Sequence, residues 1–81
     1  RPVVRANLTD QIESRGGRRE FFPAIVRLDS TSQRALVTVL HEPADEAALW
    51  LFRANALVIV PEAATALPAH EEVAVIRLDR E

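Results

Sequence analysis

Arg19-Glu-Phe-Phe-Pro-Ala-Ile-Val-Arg-Leu-Asp29 alternates along its whole length. Phe22, Ala24, Val26 and Leu28 fall on one face, and Phe21, Pro23, Ile25 and Arg27 on the other. A two-residue period marks a strand with one buried face, because successive side chains point to opposite sides of the pleat. Pro23 has no N–H to give to a ladder, so the strand is expected to bulge or lie at an edge there. Asp29-Ser-Thr-Ser-Gln33 supplies turn residues, and Arg34 to Leu40 follows, rich in Val and Leu. Together they predict a hairpin.

Outward from this hairpin, Ala56 to Val60 reads as a short apolar strand stopped by Pro61. Val73 to Leu78 alternates again, with Ala74, Ile76 and Leu78 on one face. Pro2 to Leu8 looks extended and is expected to be an edge strand or a lead-in. Thr9 to Gly17 is polar and ends in the turn signal Gly16-Gly17, and Pro61 to Glu72 reads as a long connection laid over the rest. A single helix is predicted, at about 45–54. Asp45 can cap it, Ala47, Ala48, Leu49 and Leu51 are strong helix formers, and Ala48, Leu49 and Phe52 share a face. Asn55 is expected to end it in the left-handed conformation. Many short strands with one short helix predict an all-β fold, a small barrel or bent ribbon, because closure hides strand edges.

The chain has 81 residues, enough for a single domain over 1–81. A domain this small buries only about 60% of the surface its unfolded chain exposes, so its stability margin is thin. At 48% hydrophobic residues it has the apolar content to fold, which excludes intrinsic disorder. With no cysteine, neither disulfides nor thiolate metal sites are available, in keeping with a cytoplasmic protein. No apolar run of about twenty residues predicts a membrane span, and no charged-then-apolar leader is visible. The start at Arg1 suggests a fragment of a larger multidomain protein.

Net charge is −2, which argues against a dedicated nucleic-acid binder. The charge is uneven. Five arginines against Asp10 and Glu13 leave +3 through residue 19, and the remainder carries −5. All ten basic residues are arginine, which together with the many alanines fits genomic base composition better than function.

Most catalytic templates fail. His41-Glu42 and His70-Glu71 each start like H-E-x-x-H, but Asp45 and Ala74 stand where the second histidine belongs. With only Gly16 and Gly17, neither a nucleophile elbow nor a Gly-rich phosphate loop can be built. Glu71-Glu72 reads as a solvated acidic turn. No catalytic residue and no metal ligand is therefore assigned. The local chemistry that remains is Gly17-Arg18-Arg19-Glu20-Phe21, a turn glycine and two arginines at a strand entrance. Guanidinium forks match tetrahedral oxyanions by bidentate, charge-assisted hydrogen bonds. Arg18 and Arg19 are thus candidate oxyanion ligands, against the plainer reading of a solvated turn with Arg–Glu pairing. Trp50, beside the helix stripe, could pack, anchor an interface or serve as an aromatic platform, and with Phe52 it is a candidate interface residue.

The segment Gly17-Arg-Arg-Glu-Phe21, then Arg53-Ala-Asn-Ala-Leu-Val-Ile-Val-Pro-Glu62 and Leu67-Pro-Ala-His-Glu-Glu-Val73, resembles the C-terminal domain of the MoeA/gephyrin family of molybdopterin molybdenumtransferases. The ordered likeness runs from about Arg15 to Leu78. It implies a β-clip, a bent ribbon closing into an incomplete barrel. It also implies a parent enzyme with further domains that works as a homodimer and inserts molybdenum from molybdate into adenylylated molybdopterin with Mg. None of these cofactors is expected to be bound by this domain alone. Its partners would be the remaining domains of the parent, with no nucleic acid and no membrane, and by itself the domain would not be catalytic. Arg18 matches the family arginine associated with molybdate. The chain departs from the family at Glu42-Pro-Ala-Asp45-Glu46, where G-x-Q-G-S is usual, at Leu49 and Trp50 in place of serines, at Pro23 in place of an arginine, and at His70 in place of a glycine. These departures favour an alternative, a non-catalytic interaction or dimerisation module from a diverged paralogue. A sugar- or nucleotide-binding β-domain of other origin is a third reading.

Overall fold

β-branched and small residues at alternate positions make each of the main strands. The computed structural model describes residues 3–40 and 53–79. In them lie β1 (Val3–Leu8), β2 (Ile12–Glu13), β3 (Glu20–Leu28), β4 (Ala35–Val39), β5 (Ala56–Val60), β6 (Ala66–Leu67) and β7 (Glu72–Arg77). The helix expected at about 45–54 falls almost wholly outside the described residues, as do Trp50 and Phe52.

β3 is the pivot. Its first half pairs antiparallel with β5, from Glu20↔Val60 to Ala24↔Ala56, and its second half with β4, from Ala24↔Val39 to Leu28↔Ala35. The expected β3–β4 hairpin is present. Its turn is closed by Asp29 N–H to Arg34 O and Gln33 N–H to Asp29 O, each 2.8 Å, with Gln33 at φ 62°. The Asp29 carboxylate accepts from the Ser32 N–H at 2.9 Å. That bond, then the Ser32 hydroxyl and the charge of Arg27, hold the Asp29 carboxyl below its ordinary range.

Pro23 is accommodated without breaking the ring. The Leu40 N–H donates to the Pro23 carbonyl at 3.0 Å, just past the last β3–β4 pair. The N and O of one strand residue face the same neighbour, so the missing N–H falls where that ladder ends.

From β5 the ring runs to β7, then β1, then β4, in the closed order β1-β4-β3-β5-β7. Every junction is antiparallel except β1–β4, which is parallel with the pairs Asn7↔Leu36 and Leu8↔Val37. The small barrel expected from the alternating pattern is thus present, with a complete ring. Pro2 to Leu8 was expected at an edge, but β1 is paired on both sides and supplies the closure.

The interior is filled by Ala6, Leu8, Ala24, Val26, Val37, Val39, Ala56, Val58, Val60, Val73 and Val75, all buried. Five strands enclose a narrow space, and alternating alanines and valines fit it. Each fully buried Val or Leu stabilises the fold by roughly 1.5–3 kcal/mol. Leu28 shares the face of Ala24 and Val26 in the alternation, yet it is 66% exposed. β5 pairing stops at Ala24, so the far end of β3 overhangs the barrel with β4 alone beside it. In β7 the inward residues are Val73 and Val75, and Ala74 and Ile76 face out.

The two long connections hold strands that their composition did not suggest. β2, between β1 and β3, pairs antiparallel with β6, between β5 and β7, through Ile12↔Leu67 and Glu13↔Ala66. Both connections leave the end of the barrel where β1 and β5 finish and β3 and β7 begin. Ile12 and Leu67 join the core there.

Asn55 differs from its expected place as a left-handed cap: among the described residues, Gln33 and His70 are the non-glycine residues with positive φ. Its side-chain amide accepts from the Val26 N–H at 2.8 Å and donates to the Val26 carbonyl at 3.0 Å. It thereby stands in for a strand peptide at the point where β5 has left β3. Asn55→Ala is expected to leave both Val26 groups short of partners and to lower stability by about 2 kcal/mol. Urea denaturation checks this: an unchanged midpoint would mean that water replaces the clamp.

Candidate oxyanion site

The arginine-bearing loop, residues 14–19, joins β2 to β3 and is tied to the opposite connection by backbone bonds. Ser14 N–H donates to Thr65 O at 2.9 Å, and Gly17 N–H donates to Glu62 O at 2.8 Å. Between these anchors Gly16 and Gly17 both take the left-handed conformation, at φ 73° and 79°. That conformation crowds a Cβ against the following carbonyl, which glycine avoids. The chain then enters β3 at Glu20, opposite Val60.

The loop presents Arg15, Arg18 and Arg19 to solvent. None of the three has a side-chain hydrogen bond or ion pair with a described residue. Arg19 lines a cleft of ≈ 530 Å³ with Ile59, Pro61, Glu62 and Ala63. Arg18 stands on the loop outside that lining. A second cleft of ≈ 250 Å³ lies beyond the shared residues Ile59 and Pro61, lined also by Arg5, Glu71 and Glu72. Arg5 and Glu72 are 3.4 Å apart with both side chains 58% exposed, so their pairing contributes little.

The Arg–Glu pairing considered from sequence is absent at Glu20. Its carboxylate accepts from the Ser14 hydroxyl, and that hydroxyl accepts from the Gly16 N–H at 3.2 Å. Ser14 was not singled out by sequence, although a serine two residues before a turn glycine is a known local hydrogen-bonding pattern. His70 is exposed in the turn before β7 at φ 75°, with its N–H on Leu8 O at 2.8 Å. His41 and the Glu42–Glu46 segment lie outside the described residues. Among the described residues no group of three or more His, Cys, Asp or Glu is arranged to hold a metal ion.

A Cβ on Gly16 would come within 2.9 Å of Thr65 Cγ2, whereas one on Gly17 would meet nothing within 4 Å. Both Gly→Ala changes carry the left-handed penalty of about 1–2 kcal/mol. Gly16→Ala is expected to cost more, and Thr65→Ser in that background should remove the excess. Equal thermal midpoints for the two single variants would contradict this.

The comparisons bear on the fold and the family. The family model for the MoeA C-terminal region (domain IV) matches residues 5–78. No curated protein matches the chain. Among solved structures, the chain is similar to the molybdopterin biosynthesis MoeA protein from Pyrococcus horikoshii OT3, with a TM-score of 0.77 and 25% identity. That likeness covers 94% of this chain and 18% of the Pyrococcus chain. The family match takes in most of β1 and every strand after it, and so part or all of each ring strand; the chain belongs to the MoeA C-terminal (domain IV) family.

Proposed function

We propose that this domain serves a molybdenum-cofactor biosynthesis enzyme that inserts molybdenum from molybdate into adenylylated molybdopterin. It would do so as the C-terminal part of a longer, dimeric, cytoplasmic protein, covering a cleft whose reacting groups lie on other domains. The observation that carries this reading is a loop of three exposed arginines, none paired with a described residue, on a domain of this family. Arg18 and Arg19 are assigned to the oxyanion. Each guanidinium offers paired N–H donors to a tetrahedral anion, and the loop anchors on Thr65 and Glu62 limit the entropy lost on binding. Magnesium would be held by the rest of the enzyme. No helix among the described residues is long and apolar enough to cross a membrane.

A second reading, a non-catalytic interaction or dimerisation module, is favoured by Glu42-Pro-Ala-Asp45-Glu46 in place of the family's G-x-Q-G-S, since carboxylates repel an anion. Trp50 and Phe52 would be its contact residues.

In the full-length protein, Arg18→Ala is expected to weaken molybdate binding about tenfold, the scale of a lost charge-assisted hydrogen bond. Isothermal titration decides between the readings. Unchanged affinity removes Arg18 from the oxyanion site and leaves the interaction module.

A further inference from the structure

Glu20 is the carboxylate nearest in sequence to Arg18 and Arg19, and in solution it would compete with any anion for them. The fold gives it another partner. Ser14, six residues upstream, donates its hydroxyl hydrogen to Glu20 Oε1 while its oxygen accepts from the Gly16 N–H. The Ser14 backbone cannot drift, because its N–H is fixed to Thr65 O, and Gly17 N–H is fixed to Glu62 O. The hydroxyl thus joins the start of the loop to its end, and the three arginines between them are exposed.

We propose that Ser14 is a positioning residue: by holding the Glu20 carboxylate it keeps Arg18 and Arg19 free for a tetrahedral oxyanion. This inference rests on the oxyanion reading of the loop. Without the hydroxyl, Glu20 gains the freedom to turn towards the neighbouring guanidinium groups. An anion must then displace it before binding.

The test is an isothermal titration of the full-length protein with sodium molybdate at constant ionic strength. Ser14→Ala is expected to weaken binding about two- to fivefold, the scale of one exposed ion pair. Ser14→Thr, which keeps a hydroxyl, should bind like the parent. Ser14→Ala combined with Glu20→Gln should recover the parent affinity, since the competing charge is gone; a purely structural defect would not be rescued this way. Unchanged binding in Ser14→Ala, or no recovery in the double variant, overturns the proposal. Arg18→Ala separates the two levels. A loss there with none in Ser14→Ala sinks this inference alone, and no loss in Arg18→Ala removes the oxyanion reading and this inference with it. If Ser14→Ala does not fold, Glu20→Gln alone decides: equal or tighter binding supports the proposal, and weaker binding rejects it.

Discussion

The pairing of β1 with both β7 and β4 turns a bent sheet into a ring, and the rest of the molecule depends on it. Five ladder pairs join β1 to β7, but only two, Asn7↔Leu36 and Leu8↔Val37, join it to β4. With that seam made, every principal strand has two neighbours and no long edge is left to pair with another chain. The same closure sets the size of the interior. Ala6, Ala24 and Ala56 are nearly or wholly inaccessible, and the valines at the alternate positions fill what they leave. A core this narrow has little room for larger side chains, and overpacking costs typically 1–3 kcal/mol.

Closure also determines where chemistry can sit. Both long connections emerge at one end of the barrel, and the β2–β6 pair binds them to each other with Ile12 and Leu67 turned into the core. The arginine loop is attached to this rigid platform through Thr65 and Glu62. Three like charges on a short loop repel one another. The backbone anchors and the left-handed glycines fix the loop backbone without using any of those charges.

How much of this was legible varies with the range of the interaction. The β3–β4 hairpin and the β5 strand are local, and alternation with turn residues revealed them. Leu28 shows that period gives a face and not a length: the inward face of β3 is covered only as far as its neighbours extend. Asn55 was misread because a helix cap and a strand clamp both draw on its short amide. Val26, the residue that selects the clamp, is twenty-nine positions away. His70 stands where the family carries glycine, and its φ of 75° shows why glycine is favoured there. Ile12 and Leu67 lay within stretches that read as connections, since two-residue strands are too short to show a period. Of the candidate site, the arginines and the turn glycines were visible as neighbours in sequence. The bond from Ser14 to Glu20 was not, because it depends on a loop closure that no period encodes.

By itself, then, the order of residues determined the strand faces, the β3–β4 turn, the clustering of positive charge before Glu20, and the likeness to the MoeA C-terminal domain. Those properties follow from spacing along the backbone and from side-chain chemistry. Tertiary structure alone decided that β1 closes the ring, that Pro23 falls at a ladder end, that Asn55 serves β3, and that Glu20 is held by Ser14 instead of by an arginine. Each of these depends on which groups meet across the barrel, and such meetings are set by register and closure.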